Sequence, residues 1–491
     1  MRWLILYLGL AACLLAGGVL ADDGDWFVVW IGDGIRPGAS TPSGEVVIMD
    51  GAGDVVQTVT AVSASDSFVH PCTESATSPD GRHRAFYVGG TTGGALYLMD
   101  GRGDPVALGG VHHLACLGMG SFTWRDDSGA FAYIDYRTTD DIAHGTLNIR
   151  SADDPANVLY TRDDVAAFHL AGDELHVLTV FRDSVRVEVG TPDDGLEEVA
   201  RIYSEREDCP FRAGDLRRIN ADTLAVLLGQ NCRGGNAWAL YTVETASRTA
   251  NRVLREGASS FTSQAATLRL ITTASGDTVH LLHPDGRLGN YSAFLQTVDL
   301  RQVADTPSAD APPDTQFIIT PRLPAATQSA NPALSPDGRY IALVQQTGNN
   351  ESQIYLIDRR EREAITQISG GGRGDLITAT AFTPDSGQLF YVAGGIDGAA
   401  NAIMALDVGG RDPQERLRGA FITPLVLSPD GGRALILQQT TGGANDIPYS
   451  DLVRVDLDGG EPVIVFEGAD FDEDGLLSRR QFAMPLFWLP R

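Results

Sequence analysis

One stretch of this chain contains a complete small sheet. Residues 331–369 read as four short β-strands joined by turns, with a Ser-Pro-Asp-Gly turn between the first strand and the second. Pro336 fixes its φ angle, Gly338 tolerates positive φ, and the Asp337 carboxylate can cap nearby backbone N–H groups. A single sheet of this size cannot bury both of its faces, so such units must stack on one another.

The unit repeats along the chain at a nearly constant spacing. The turn residues Asp337, Asp385 and Asp430 lie 48 and 45 residues apart, the length of one four-stranded propeller blade. Apolar residues alternate or occur in short runs, so helical periodicity is weak. Nine units are found, at Asp23, Asp80, Asp126, Asp173, Asp222, about Ala266, Asp337, Asp385 and Asp430. The sequence therefore predicts an all-β, single-ring β-propeller of eight or nine four-stranded blades.

The first unit lacks its opening strand. Residues 483–491, at the other end of the chain, read as a strand of this kind. Pairing it with the strand that starts at Trp26 would complete the first blade from both termini and leave no open sheet edge. We therefore expect one propeller domain over residues 22–491, closed by the C-terminal strand. A Pro- and Ala-rich loop is expected as an insertion at 304–327.

The turn and its flanking strands resemble a known repeat. Ser335–Arg339, followed by Tyr340–Val344 and Ile354–Asp358, is similar to the TolB-type propeller repeat, a relative of the Trp-Asp repeat. The resemblance covers nearly the whole chain after the N-terminal segment. It implies the propeller fold and the binding of other macromolecules. It does not extend to the partner of TolB, because the α/β domain that precedes TolB's propeller has no counterpart among these repeats.

The N-terminus carries an export signal. An apolar run over residues 3–20 follows a single arginine and ends in small residues, which predicts a signal peptide over 1–21 cleaved after Ala21. Lipidation of Cys13 is one alternative, because Leu10–Cys13 resembles a bacterial lipobox. An uncleaved anchor is another. Each alternative predicts a periplasmic, cell-surface or secreted protein that contacts a membrane only through this segment.

Four cysteines follow the signal segment: Cys72, Cys116, Cys209 and Cys232. An even number suits an oxidising compartment, and four cysteines allow three pairings. Cys209 and Cys232 flank the strands of one blade, whereas Cys72 and Cys116 precede the opening strands of successive blades. These positions favour Cys72–Cys116 and Cys209–Cys232 disulfides over a Cys116–Cys209 link.

The sharpest chemical motif lies at residues 470–481, which resemble an EF-hand calcium loop with Gly475 at its sharp turn. The predicted Ca²⁺ ligands are Asp470, Asp472, Asp474, the Leu476 carbonyl, Ser478 and Gln481. Two features depart from the motif, since Gln481 replaces the bidentate glutamate and the flanks read as strands. We expect a structural Ca²⁺ that orders the segment before the closing strand. The alternative is an acidic surface turn that binds no metal.

Charge and missing motifs limit the classes of function. The formal net charge is −27, and every basic residue is an arginine because the chain has no lysine. Such an acidic surface repels phosphate backbones, so nucleic-acid binding is not expected. The absence of lysine excludes a Walker-type phosphate loop and a Schiff-base mechanism. Neither a G-x-S-x-G nor an H-E-x-x-H motif is present.

The sequence thus predicts an exported, monomeric, non-catalytic propeller that binds a protein, peptide or glycan partner of the cell envelope. The alternative is a propeller enzyme, a glycan or peptide hydrolase or lyase, with its site at the channel mouth. A purely structural envelope component is a third hypothesis. No catalytic residue and no organic cofactor are predicted.

Overall fold

Nearly all of the described chain is β-strand. The computed structural model describes residues 25–33, 43–63, 66, 68–72, 76–90, 93–101, 103–117, 121–136, 144–205, 207–232, 235–258, 269–272, 278–285, 292–299, 318–319, 333–348, 351–358, 365–369, 375–395, 401–410, 412–443 and 447–489. Within these ranges the one helix is a single turn, α1 (Leu114–Leu117). No helix in them has the length and hydropathy needed to cross a bilayer. The predicted signal peptide lies outside the described residues.

Nine antiparallel sheets follow one another in the described part of the chain, and we number them blades 1 to 9. Blade 1 contains β1 (Trp26–Asp33), β2 (Gly44–Asp50) and β3 (Val55–Val62), joined by β36 (Ala469–Phe471) and β37 (Leu477–Leu489) from the other end of the chain. Blade 2 contains β4 (Phe68–Pro71), β5 (His83–Gly90), β6 (Gly93–Asp100) and β7 (Val106–Val111). Blade 3 contains β8 (Phe122–Trp124), β9 (Ala130–Tyr136), β10 (Gly145–Ser151) and β11 (Val158–Val165).

The next three blades have the same strand order. Blade 4 contains β12 (Ala167–Ala171), β13 (Glu174–Val180), β14 (Ser184–Thr191) and β15 (Gly195–Tyr203). Blade 5 contains β16 (Phe211–Arg218), β17 (Thr223–Cys232), β18 (Gly235–Glu244) and β19 (Thr249–Ala258). Blade 6 contains β20 (Arg269–Thr272), β21 (Thr278–Asp285), β22 (Ser292–Asp299) and β23 (Ile318–Ile319).

The last three blades carry the strongest copies of the repeat. Blade 7 contains β24 (Ala333–Leu334), β25 (Tyr340–Gly348), β26 (Glu351–Asp358) and β27 (Ile365–Ser369). Blade 8 contains β28 (Asp375–Phe382), β29 (Gln388–Gly395), β30 (Asn401–Asp407) and β31 (Gln414–Gly419). Blade 9 contains β32 (Phe421–Leu427), β33 (Arg433–Gly442), β34 (Ile447–Asp456) and β35 (Val463–Phe466).

Neighbouring blades share apolar cores because side chains alternate along each strand. In β5, Phe86 and Val88 pack against blade 1, whereas Ala85 and Tyr87 pack against blade 3. Shared cores of this kind join blades 7, 8, 9, 1, 2, 3, 4 and 5 in that order. In blade 6, β20 lies against β16 and β17 of blade 5. The predicted all-β propeller architecture of successive four-stranded blades is confirmed, with a fifth strand, β36, added to blade 1.

The ring closes between the two ends of the chain. Strand β37 pairs antiparallel with β1, which puts Trp488 opposite Phe27 at a ring-centroid distance of 5.6 Å. The predicted pairing of the C-terminal strand with the first blade is therefore present. The strand is longer than predicted and begins at Leu477, because its first residues pair with β36 before the rest pairs with β1.

Blade 6 corrects the predicted insertion. Residues 304–327 are expected to form a loop, but Ile318–Ile319 within them forms β23 and pairs with Leu295 and Gln296 of β22. An outermost strand has a single partner strand, so two apolar residues suffice to form it, and so short a segment shows no alternation in the sequence. The rest of the predicted insertion lies outside the described residues.

Antiparallel connectivity gives the disc two different faces. In each blade, the turn between the first and second strands and the turn between the third and fourth strands lie at the same end of the sheet. We call this end the turn face. The loops between second and third strands and the connections between blades lie at the opposite end, which we call the loop face.

Candidate functional site

The turn face is built from one repeated hydrogen-bond network. In blade 7, the Ser335 hydroxyl donates to Asp337 Oδ1 at 2.6 Å, and the same oxygen accepts the N–H of Arg339 at 3.0 Å. The N–H of Tyr340 donates back to Ser335 Oγ at 2.8 Å. The same hydroxyl-to-aspartate bond joins Ser78 to Asp80, Thr383 to Asp385 and Ser428 to Asp430. The capping role predicted for the turn aspartates is confirmed.

Blade 3 differs from the sequence prediction by one residue. Its capping carboxylate belongs to Asp127 rather than Asp126, since the N–H of Gly129 donates to Asp127 Oδ1 at 2.8 Å. Arg125 occupies the position that serine or threonine holds in the other turns, and its Nε lies 2.7 Å from the same oxygen. Adjacent aspartates made the position ambiguous in the sequence.

Arginines of the turn face are paired with aspartates of the same blade. Arg82 Nε lies 2.6 Å from Asp100 Oδ1, and Arg339 Nη2 lies 2.5 Å from Asp358 Oδ2. Each pair joins the first turn of its blade to the second. The hydrogen bond from Arg82 lowers the pKa of Asp100. The turn face therefore uses much of its polar chemistry to hold its own turns together.

A cluster of titratable side chains lies toward the loop face, between blades 2 and 3, and we call it the loop-face cluster: His70, Tyr87, His112, His113 and Asp135. The Tyr87 hydroxyl donates to the Val111 carbonyl at 3.1 Å, and the N–H of His112 donates to Asp135 Oδ1 at 3.0 Å. The imidazole rings of His112 and His113 are 4.3 Å apart.

Burial sets the protonation of two members of the loop-face cluster. It lowers the pKa of His70 and raises the pKa of Tyr87 to about 12. At neutral pH the imidazole of His70 is therefore uncharged and the Tyr87 hydroxyl keeps its proton. The Tyr87 hydroxyl is fully buried and already bonded to the carbonyls of Gly90 and Val111. The sequence shows only the adjacent His112 and His113, because the other members of the loop-face cluster come from the separate strands β4, β5 and β9.

Both predicted disulfides are present. Cys72 follows β4 and bonds to Cys116 in α1, so the bridge joins the innermost strand of blade 2 to the connection into blade 3. Cys209 precedes β16 and bonds to Cys232 at the loop-face end of β17. The predicted pairing is confirmed. Each bridge fixes a connection beside a first or second strand at the loop face.

The predicted calcium loop forms a β-hairpin between β36 and β37. Asp472 Oδ1 accepts the N–H groups of Asp474 at 3.1 Å and Leu476 at 2.8 Å, and the Leu476 carbonyl accepts the N–H of Asp472 at 2.9 Å. The Ser478 hydroxyl donates to the Asp470 carbonyl at 3.0 Å. The turn is thus closed by its own hydrogen bonds.

Two of the predicted calcium ligands lie in a strand rather than in the turn. Ser478 and Gln481 lie along β37, and Gln481 is opposite Asp33 of β1. In the part of the chain that the structure describes, no three Asp, Glu, His or Cys residues are placed to hold a metal ion. Calcium binding therefore remains a prediction from the sequence pattern.

The same hairpin packs against blade 9. Phe471 contacts Tyr449 of β34 at a ring-centroid distance of 5.7 Å, and Arg480 Nη2 donates to the Pro448 carbonyl at 2.6 Å. The hairpin therefore connects the last blade to the strand that closes the ring, in the position expected for a structural clasp. Its acidic tip lies at the loop face.

Comparison with known proteins identifies no family. No protein-family model matches the chain, and no curated protein matches its sequence. Several solved structures are similar to the chain. The Dos1 propeller is 14% identical over 75% of this chain and 92% of its own, with a TM-score of 0.41. Dipeptidyl peptidase 4 of Porphyromonas gingivalis is 10% identical over 81% of this chain and 60% of its own, with a TM-score of 0.48.

An oligogalacturonate lyase from Vibrio parahaemolyticus is 10% identical over 92% of this chain and 89% of its own, with a TM-score of 0.38. At these identities the likeness concerns the fold alone. Activity and ligand must be argued from the residues of this chain.

Proposed function

We propose that this protein is an exported, non-catalytic β-propeller that binds a protein, peptide or glycan of the cell envelope through its loop face. The observation that carries the proposal is the difference between the two faces. On the turn face, serines, aspartates and arginines are engaged with one another, as in the Ser335, Asp337 and Arg339 turn. Toward the loop face, the hairpin presents the exposed carboxylates of Asp470, Glu473 and Asp474 to a partner.

Two further observations support export and macromolecular binding. The disulfides suit an oxidising compartment such as the periplasm or the cell exterior. The turn sequence resembles that of TolB-type repeats, whose fold binds other macromolecules. We propose calcium binding at the hairpin as a separate element of this function, resting on the spacing of Asp470, Asp472 and Asp474.

The proposal is tested by photo-crosslinking from each face in the native cell envelope. A photoreactive amino acid replaces Glu473, at the exposed tip of the hairpin on the loop face, or Asp193, exposed on the turn face of blade 4. We expect discrete crosslinked products from position 473 and none of the same mass from position 193.

Two results would contradict the proposal. Products that arise equally from both positions would show that the loop face is not selective. Cleavage of envelope glycans or peptides by the purified protein would favour the alternative propeller enzyme.

A further inference from the structure

Exposed apolar side chains are concentrated on one arc of the disc's rim. Ten large hydrophobic residues are exposed in the described part of the chain, and seven of them begin the outermost strands of four successive blades. We call these seven the rim arc: Val463–Ile464 of blade 9, Val55–Val56 of blade 1, Val106 of blade 2 and Val158–Leu159 of blade 3. Their exposed fractions range from 38% at Val106 to 53% at Val55. Exposed apolar side chains that recur at equivalent positions of neighbouring blades are candidates for an interaction site.

The rim arc is not a general property of the outermost strands. The equivalent strands of blades 4, 5 and 8 begin with Gly195, Thr249 and Gln414. Glu197 and Glu415 follow within the first residues of two of them and are exposed. Among the blades whose outermost-strand side chains the structure describes, apolar starts are therefore confined to the four blades around the ring closure.

Contacts between blades hold the parts of the rim arc in fixed positions. Three contacts join the blades in sequence: Arg454 Nη1 to the Gly51 carbonyl at 3.1 Å, Gln57 Nε2 to Asp104 Oδ1 at 3.1 Å, and Arg82 Nη1 to Asp153 Oδ1 at 3.3 Å. They link blade 9 to 1, blade 1 to 2 and blade 2 to 3. The rim arc is thus one preformed surface across four blades.

The strand edges beneath the rim arc are poorly suited to pairing with another strand. Pro105 and Pro462 immediately precede β7 and β35, and Pro155 lies shortly before β11. The outermost strands of all four blades also have irregular register with their neighbours. Prolines and bulges protect a sheet edge against strand addition. The rim arc therefore offers side chains rather than backbone to a partner.

Acidic side chains lie beside every part of the rim arc. Asp54, Asp104, Asp154 and Glu461 are all exposed, and each precedes an apolar position by four residues or fewer. The chain as a whole carries a formal charge of −27. An apolar surface with negative charges on its border complements a segment in which basic and apolar residues are interspersed. Anionic lipid headgroups would be repelled by the same carboxylates.

We propose that the rim arc binds a partner protein through an extended segment with alternating basic and apolar residues. This surface lies at the turn-face edge of the rim, away from the loop face, so the inference goes beyond the proposed function. The partner segment covers the apolar residues of adjacent blades and places its basic side chains against the bordering carboxylates.

The test measures binding of a short synthetic peptide that alternates lysine and valine to the purified full chain, by fluorescence anisotropy. The variant with Val55→Ser, Val56→Ser, Val463→Ser and Ile464→Ser removes the apolar surface at the seam of blades 1 and 9. We expect it to bind the peptide at least about tenfold more weakly than the wild type, with an unchanged melting temperature. Binding should weaken as salt rises.

Matched controls separate the rim arc from general charge attraction. Tyr203→Ser with Leu334→Ser removes exposed apolar groups elsewhere and should leave binding unchanged. A lysine–serine peptide, which keeps the charge, should bind weakly to every variant. Equal loss of lysine–valine peptide binding in the rim-arc variant and in the double-substitution control variant overturns the proposal.

Other occupants give results that also overturn it. Flotation of the wild type, but not the rim-arc variant, with neutral phosphatidylcholine vesicles would assign the surface to a bilayer. A wild-type dimer that the rim-arc variant abolishes would assign it to a second copy of this chain. Neither outcome depends on the loop face, so each is distinguishable from failure of the proposed function.

Discussion

Asp25 and Arg433 form a buried ion pair between residues that are 408 positions apart in the chain. Asp25 precedes β1 and Arg433 begins β33, so the pair joins blade 1 to blade 9 at the ring closure. Arg454 Nη1 lies 3.6 Å from the same carboxylate, and the Arg433 guanidinium carbon lies 5.7 Å from the centre of the Trp488 ring. The closure therefore has a charged part at the turn face in addition to its paired strands.

Asp25→Asn should destabilise the closure strongly. The substitution keeps the size of the side chain but removes the charge that two guanidinium groups face in a buried position, which costs about 3 kcal/mol or more. Asp100→Asn is the matched control, because its pair with Arg82 is exposed and contributes at most about 1 kcal/mol. Denaturant unfolding measures both losses. Equal losses would show that the Asp25 pair contributes no more than a surface pair.

Ser386→Gly should lower the free energy of unfolding less than Ser386→Ala. Its φ is 60°, a conformation that glycine favours, and its hydroxyl accepts the N–H of Asp337 from the neighbouring blade at 3.0 Å. Ser386→Ala keeps the strained Cβ and removes the acceptor, at a cost of about 1–3 kcal/mol. Ser386→Gly also removes the acceptor but relieves about 1 kcal/mol of strain. Unfolding free energies in the opposite order would contradict this account.

Ionisation of Asp451 should lower the free energy of unfolding as the pH rises. Burial raises the pKa of this carboxyl, whose Oδ1 accepts the N–H of Gly468 at 2.8 Å. A raised pKa in the folded state means that protonated Asp451 stabilises the fold. This stabilisation is complete at pH values below the unfolded pKa and is lost as the pH rises through the folded pKa. Asp451→Asn cannot ionise, so its melting temperature should rise relative to wild type from acidic to neutral pH. Parallel melting curves across that range would refute the assignment.

Calcium and the Asp472 turn can be separated by two substitutions. Asp472→Ala removes the acceptor of two backbone N–H groups and should lower the melting temperature with calcium or with chelator. If the loop binds Ca²⁺, added calcium raises the wild-type melting temperature. At a hundredfold excess over Kd, calcium stabilises the folded protein by about 2.7 kcal/mol. Asp474→Ala should remove that gain while leaving the turn intact. A wild type that melts identically with calcium and with chelator would end the calcium hypothesis.

The repeat and its turns could be predicted because their chemistry is local. Ser335, Pro336, Asp337 and Gly338 specify one turn within four positions, and the structure repeats it on blade after blade. The Cys72–Cys116 disulfide followed from the repeat period, since stacked blades bring the positions ahead of their opening strands together. The Cys209–Cys232 disulfide followed from the positions of the two cysteines on either side of one blade's strands. Asp25 could not be assigned a role, because its partners are in the last blade and nothing nearby in the sequence indicates them.

The candidate site was less predictable than the fold. The spacing of Asp470, Asp472 and Asp474 suggests a metal loop, but the chain before Leu477 pairs as a strand with the chain after it, which a pattern of carboxylates does not reveal. The apolar starts of the outermost strands look like ordinary strand residues in the sequence. Their exposure depends on which strand lacks a second neighbour, and that is a property of the assembled ring.

Hydrogen–deuterium exchange of β37 tests the closed ring most directly. Amides that pair with β1 in a closed ring open only with the surrounding blades, so they should exchange slowly. We predict that residues 482–489 exchange as slowly as β5 and β29, the second strands of blades 2 and 8. Exchange of β37 at the rate of an unpaired terminus, while β5 and β29 stay protected, would contradict closure by the C-terminal strand.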